Sequence, residues 1–117
     1  MARAATTADA FNAVAEPRRR AILDVLAGGE CAVSDLVAAL GIAQPLVSKH
    51  LRVLREVGLV QVRDAGRQRV YRLDARPLKP VHDWVAGYAR SWEQRFALVD
   101  TVLEELEKED DDGKHDR

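Results

Sequence analysis

The sequence predicts a mainly α-helical fold that carries one small β-hairpin, and three observations support this fold class. Apolar residues recur every three or four positions along most of the chain, as they do on the buried face of a helix. Between residues 59 and 73 this spacing changes to a partial alternation, which is typical of strands. The chain has 117 residues, of which 47% are hydrophobic and 32% are charged, so it has the size and balance of one globular domain.

Two short helices are predicted at the start of a domain that we place at residues 8–107, after a flexible segment of residues 1–7. The first helix covers about residues 8–15. The second helix begins at Pro17, because the missing N–H of a proline has no helical partner in the first turn. It ends at Gly28, since glycine readily adopts the conformation that closes a helix.

Two further helices are joined by only about three residues, which is the spacing of a helix-turn-helix unit. The third helix covers about residues 33–40 and stops at Gly41. The fourth starts near Gln44 and stops before Gly58, and apolar residues at spacings of four and three give it one buried face. These apolar residues are Val47, Leu51 and Leu54.

A β-hairpin is predicted directly after the fourth helix. Residues 59–63 and 69–73 are rich in β-branched side chains, and five residues that include Gly66 separate them. A helix-turn-helix followed by such a hairpin has the order of elements of a winged helix-turn-helix, in which the hairpin is the wing.

A long helix is predicted over about residues 80–107, where seven of eight heptad positions are apolar. It would be ~42 Å long at 1.5 Å per residue, which is more than the rest of the domain can cover. We therefore predict that this helix and the first helix form the interface of a homodimer. The predicted interface residues are Phe11, Val85, Tyr88, Trp92, Phe96, Val99 and Leu103. Residues 108–117 are charged and are predicted to form a disordered acidic tail.

The net charge of −1 hides a strong asymmetry along the chain. Residues 44–79 carry nine basic and three acidic side chains, whereas residues 100–117 carry three basic and nine acidic ones. The basic stretch coincides with the fourth helix and the wing, which is the distribution expected of a DNA-binding surface. A solvated basic face without a partner is the alternative interpretation.

The helix-turn-helix segment resembles the recognition motif of ArsR-type transcriptional regulators. The resemblance lies in VSDLVAALGIAQPLVSKHLRVLREVGLV at residues 33–60, in EPRRRAIL at residues 16–23 and in RVYRL at residues 69–73. It implies a winged helix-turn-helix fold and a homodimeric, DNA-binding regulator, most often a repressor that an inducer releases. It also implies that the residues at four matching positions lie near bases; these are Gln44, Pro45, Ser48 and Lys49.

The exposed face of the fourth helix is predicted to enter the major groove of double-stranded DNA, because a helix fits that groove. Gln44 can pair with an adenine edge, and Leu46 can touch a thymine methyl group. The arginines of the wing suit contacts with the DNA backbone or the minor groove. The predicted DNA-binding residues are Gln44, Pro45, Leu46, Ser48, Lys49, Arg52, Arg63, Arg67 and Arg69.

No metal site, cofactor or catalytic site is predicted. Metal sensors with this motif often carry a Cys-x-Cys pair just before Asp35-Leu36, but residues 32–34 contain no cysteine and Cys31 is alone. One thiolate does not make a zinc site. The sequence also lacks a phosphate-binding glycine loop and a nucleophile elbow, so we do not expect an enzyme.

Several roles stay open at this point. A small-molecule inducer could bind the aromatic residues Trp84, Tyr88 and Trp92, although a dimer core is the simpler interpretation. Cys31 is either a packing residue or a redox sensor, and His50 either bonds at the edge of the core or contacts a phosphate.

The single cysteine and the absence of an apolar run of ~20 residues predict a cytoplasmic protein with no membrane span. The alternative function is a winged helix that binds only proteins. Such a module would not need the wing arginines, and steep salt dependence of DNA binding would exclude it.

Overall fold

The computed structural model describes residues 9–115, and it describes side chains for residues 9–110. The predicted flexible segment of residues 1–7 therefore lies outside the described residues. The chain divides into two compact units, of which the first ends at Val81 and the second starts at His82.

Four short helices form most of the first unit, each within about two residues of its predicted bounds. They are α1 (Ala10–Ala15), α2 (Pro17–Ala27), α3 (Val33–Leu40) and α4 (Gln44–Glu56). The Asp9 carboxylate caps α1 by accepting from the Asn12 N–H at 2.7 Å. Asp35, in the first turn of α3, accepts from the Ala32 N–H at 3.1 Å. Gly41 ends α3 with a φ of +65°, so the predicted glycine stop is confirmed.

The sheet of the first unit has three antiparallel strands, one more than the sequence predicts. The strands are β1 (Cys31–Ala32), β2 (Val60–Ala65) and β3 (Gln68–Leu73), in the order β1-β3-β2. Cys31 pairs with Tyr71 and Ala32 pairs with Val70, so β1 joins the start of α3 to the wing. A strand of two residues is too short to produce an alternating pattern, which is why the sequence did not reveal β1.

The wing turns more tightly than predicted. Ala65 pairs with Gln68, so the loop between β2 and β3 contains only Gly66 and Arg67 instead of five residues. Gly66 has a φ of +68° at the first central position, as in the type II′ turn that suits a two-residue hairpin. The predicted loop was too long because the strand ends near this turn are polar or small, so they lack the apolar alternation of a half-buried strand.

The core of the first unit lies between α2, α3, α4 and the sheet. The predicted inner face of α4 is confirmed, since Val47, Leu51 and Leu54 are at most 1% exposed. The other large, fully buried side chains come from α2, α3 and the entry to the wing, and they are Ile22, Leu36 and Leu59. Short helices such as these are only marginally stable when isolated, so packing in the shared core is what fixes the orientation of α4.

The long helix α5 spans Lys79–His115 and has 37 residues. It starts where the sequence predicts but continues past residue 107, so it includes residues 108–115, which the sequence placed in a disordered tail. Glutamate and lysine are good helix formers, and Glu104 and Lys108 have the spacing of a favourable pair on one helix face. None of the described helices has an apolar stretch long enough to cross a bilayer.

Candidate nucleic-acid interface

One face of α4 is polar and exposed, opposite the face that lies in the core. Residues spaced by three and four positions share this face, and most of its exposed residues are predicted DNA-binding residues. The exposed ones are Gln44, Pro45, Ser48, Lys49 and Arg52, and Leu46 beside them is half-buried. The helix therefore presents amide, hydroxyl, ammonium and guanidinium groups together, which are the groups that read base edges and phosphates.

The N-terminus of α4 adds a backbone donor to this face. Ala43 is the N-cap and makes no side-chain cap hydrogen bond, as expected for a residue without a side-chain oxygen. Pro45 has no N–H, and the Leu46 N–H donates to the Ala43 carbonyl at 3.0 Å, so the Gln44 N–H is the group of the first turn that suits a phosphate.

The tip of the wing carries an exposed cation. Arg67 is the second residue of the two-residue loop, and no described side chain forms an ion pair with it in the structure. Arg69 lies on β3, opposite Asp64 of β2, and its Nε is 3.9 Å from the Asp64 Oδ1. Both members of that pair are well exposed, so the contact is weak and leaves the guanidinium accessible.

Arg63 differs from the other wing arginines because Glu30 binds it. Its Nε donates to Glu30 Oε2 at 3.2 Å, and its Nη2 donates to Oε1. This bidentate hydrogen bond, more than the charge alone, lowers the pKa of Glu30 and raises that of Arg63. Glu30 lies 33 positions earlier in the chain, so no local sequence pattern could have indicated this pairing.

His50 lies on the inner side of α4, not on its exposed face. It is 6% exposed, and its Nε2 is 3.3 Å from Oε2 of Glu16, the residue between α1 and α2. Burial is the largest influence on His50 and lowers its pKa. Of the two positions left open by the sequence, the structure favours one at the core edge, in contact with Glu16, over a phosphate contact.

Two arginines in EPRRRAIL have a structural role that the sequence analysis did not assign. Arg19 Nε donates to the Ala13 carbonyl at 2.7 Å, and Arg20 Nη1 donates to the Val14 carbonyl at 2.6 Å. These carbonyls lie in the last turn of α1, where no further helical N–H can reach them. The two arginines therefore fasten α1 to α2 and keep the corner between them fixed.

Cys31 shows the features of a packing residue. It is half-buried, and its Sγ is 3.5 Å from the Gly29 carbonyl. Burial, with a smaller effect of Asp35, raises the pKa of the thiol, so little thiolate forms near neutral pH. In the part of the chain that the structure describes, no three His, Cys, Asp or Glu side chains are grouped so that they could hold a metal ion.

A stripe of large apolar side chains on α5 is exposed, and we call it the α5 stripe. It contains five of the predicted interface residues, Tyr88, Trp92, Phe96, Val99 and Leu103, which are 48–68% exposed. Val85 is half-buried, and the predicted contact Phe11 on α1 is 40% exposed. The stripe also includes exposed residues outside the list of predicted interface residues, namely Trp84, Leu98, Val102 and Leu106. An exposed apolar stripe of this length is typical of a surface that contacts a partner.

Comparison with known proteins links these features to a group of regulators. The family model described as "Bacterial regulatory protein, arsR family" matches residues 16–62. The chain is 48% identical over 65 residues to the HTH-type transcriptional regulator Rv2034 of Mycobacterium tuberculosis, covering 56% of this chain and 61% of that protein. It is 30% identical over 78 residues to the transcriptional repressor SdpR of Bacillus subtilis, covering 67% of this chain and 87% of that protein. The chain thus spans less than two thirds of the first relative and most of the second.

A solved structure shares the fold as well as the sequence. The homodimeric winged helix-turn-helix DNA-binding domain Mb0332 from Mycobacterium bovis is 34% identical and superposes with a TM-score of 0.56. The match covers 68% of this chain and 74% of that one. The order of α3, α4 and the wing is therefore that of a winged helix-turn-helix.

Proposed function

The chain belongs to the ArsR family of bacterial regulatory proteins, which are not enzymes, and we propose that it is a cytoplasmic, homodimeric repressor that binds specific DNA through α4 and the wing. One observation carries this proposal. The residues that the sequence predicts as base readers share one exposed face of α4, whose opposite face is fixed in the core. Because its opposite face is packed in the core, this helix can enter the major groove without any disruption of the core.

Within this surface, each group suits a different part of the DNA. Gln44, Ser48 and Lys49 are placed on the helix to reach base edges, where their donors and acceptors can discriminate sequence. Arg52 on α4 and Arg67 on the wing suit phosphates, which supply affinity without sequence information. Specificity is therefore assigned to α4, and the salt-dependent part of the affinity is shared with the wing.

Dimer formation is assigned to the α5 stripe together with Phe11. Burying these side chains against a second copy would remove the largest exposed apolar surface of the chain from water. A two-fold dimer would present two copies of α4 to successive major grooves ~34 Å apart, so we expect a near-palindromic operator. Repression would follow from occupation of promoter DNA. A small-molecule inducer that reverses this binding stays a prediction.

Fluorescence anisotropy tests the proposed DNA binding. The probe is a labelled duplex taken from the DNA upstream of the coding sequence, compared with a shuffled duplex across a salt series. We expect tighter binding to the native duplex and an affinity that falls steeply as salt increases. Equal, weak and salt-insensitive binding to both duplexes would favour a winged helix that binds only proteins.

A pair of lysine variants makes the same experiment specific for α4. Lys49→Ala should weaken binding to the native duplex about tenfold, which corresponds to ~1.4 kcal/mol for one good contact. Lys108→Ala removes the same exposed charge near the end of α5 and should leave that affinity unchanged. Equal losses in both variants would mean that general charge, and not the α4 surface, determines binding.

A further inference from the structure

His50 is a polar side chain buried within the apolar inner face of the recognition helix. Its exposure is 6%, and the other buried residues of α4 are Val47, Leu51 and Leu54. Transferring an imidazole from water into the core costs free energy unless its ring nitrogens contact a polar partner. Its place in the core therefore calls for a specific partner, which packing alone does not provide.

Glu16 is that partner, and the local structure holds it in place. It is the N-cap of α2, where its Oε1 accepts from the Arg18 N–H at 3.2 Å. This leaves Oε2 facing His50, 3.3 Å from Nε2. Within residues 9–110, neither Oε2 nor either ring nitrogen makes an aligned hydrogen bond. The single contact between Nε2 and Oε2 is thus the polar support that the ring receives there.

We propose that His50 and Glu16 form a positioning joint, which seats α4 on the corner between α1 and α2, and that protonation of His50 weakens DNA binding because this buried site, flanked by cations, holds the neutral ring better than the charged one. The inference rests on the proposed function, because it concerns the helix assigned to the major groove. Its structural part, the contact between the two side chains, can be tested without DNA.

The charges around the ring give the direction of the effect. Burial lowers the pKa of His50, the Glu16 carboxylate raises it, and Arg19, Arg18 and Lys49 lower it further. The net effect lowers the pKa, so the folded protein favours the neutral ring. A proton added in acid creates a buried cation close to three other cations and opposed by one carboxylate.

This proton affects DNA binding through the position of α4. His50 directly follows Lys49 and lies two residues after Ser48, so a shift of the helix at His50 moves both base-reading groups. DNA selects the seated form of α4, and therefore binds the form with neutral His50 in preference. Exclusion of one proton lets the affinity fall by up to about tenfold for each pH unit below the lowered pKa that His50 has in the DNA-free protein.

The usual electrostatic effect of acid has the opposite sign. Protonation of an exposed histidine adds positive charge and strengthens attraction to phosphates. A loss of affinity in mild acid therefore points to a group that must stay neutral, and within residues 9–110 His50 is buried whereas the side chain of His82 is 77% exposed.

The first experiment measures affinity for the labelled upstream duplex at about pH 7.5 and about pH 5 at constant ionic strength, because the lowered pKa of His50 places its titration on the acid side of the ordinary histidine range. Wild type and the matched control His82→Gln should bind several-fold more weakly at the lower pH. His50→Gln keeps a neutral amide donor but cannot titrate, and should lose this pH dependence. The same pH dependence in His50→Gln as in wild type would overturn the proposal.

The second experiment follows the His50 ring signals by NMR during a pH titration of the full chain without DNA. We expect the pKa of His50 to lie below the ordinary value in wild type. In Glu16→Gln it should fall further, because the carboxylate that favours the charged ring is gone. A His50 pKa that Glu16→Gln does not change would overturn the joint, even if His50→Gln failed to fold. Wild type that bound no duplex at either pH would instead overturn the proposed function and the effect on DNA, while this titration still judges the contact.

Discussion

At the scale of single residues, arginines that look equivalent in the sequence have different roles. Arg67 is exposed at the tip of the wing, whereas Arg63 on β2 is held by Glu30 in a bidentate ion pair. Arg19 and Arg20 lie outside the wing and bond to carbonyls at the end of α1. The charge of a residue type is therefore a weaker guide to DNA contact than the presence of an internal partner.

This difference predicts unequal effects of two alanine substitutions in the wing. Arg67→Ala should weaken binding to native and shuffled duplexes alike and lower the salt slope by about 1, because one phosphate contact is lost. Arg63→Ala should change the slope less, since its charge already faces Glu30. The measurement is the slope of log affinity against log salt for each variant. Equal slope changes would show that Arg63 leaves Glu30 when DNA binds.

At the scale of elements, the wing depends on one backbone conformation. Gly66 has a φ of +68°, and no atom lies within 4 Å of the position that an added Cβ would take. A larger residue would therefore be disfavoured there by its backbone conformation and not by a steric clash with neighbouring residues. Gly66→Ala should destabilise the fold by about 1 kcal/mol or more, as measured by urea denaturation. Gly87→Ala is the matched control, because that glycine is helical and also has open space around it. The control should stabilise α5 by ~0.5–1 kcal/mol, and destabilisation of similar size in both variants would contradict this account.

The α5 stripe is the element that leads to a prediction about assembly. Trp92→Glu places a charge in the middle of the stripe and should yield monomers, because burying an unpaired carboxylate against a second copy is costly. Ala86→Glu adds the same charge at an exposed position on the opposite face of α5 and should leave the dimer intact. Sedimentation equilibrium measures both masses. A dimer in both variants would show that the interface does not include the stripe.

At the scale of the whole molecule, opposite charges are concentrated in different parts of the chain. The basic stretch of residues 44–79 contains α4 and the wing, and the acidic stretch of residues 100–117 lies mostly in α5. The near-zero net charge is therefore a poor description of a chain in which the candidate DNA surface is strongly positive.

The ionisable groups predict that the whole fold loses stability in acid. The folded-state pKa of His50 is lowered, so its contribution is complete above about pH 6.5 and is lost as the pH falls below that value. Hydrogen bonds from the side chain and then the backbone of Arg76 lower the pKa of Asp74 from 3.8 to about 2, so its contribution disappears between those values. The urea concentration at the midpoint of unfolding, measured at a series of pH values, should therefore decrease in two separate pH ranges. A constant midpoint between about pH 7 and about pH 5 would contradict the first range.

Much of this architecture could be predicted because it depends on local patterns. Glycine and proline positions and the period of apolar residues were sufficient for α1 to α4, the start of α5 and the inner face of α4. Because this periodicity marks the buried positions of α4, it also indicated which of the remaining α4 residues would be exposed. The sequence by itself therefore determined the order of elements and the surface of α4.

Only the tertiary structure decided which polar side chains meet across the fold. Strand β1 exists because Cys31 and Ala32 pair with β3, and a two-residue strand leaves no periodic signal. Glu30 meets Arg63, and Glu16 meets His50, although the members of each pair lie 33 or more positions apart in the sequence. Such contacts depend on how the core brings distant segments together, and no local spacing encodes them. For that reason the sequence could predict a basic wing and leave two positions open for His50, but not that one arginine is already paired and that the histidine contacts a carboxylate.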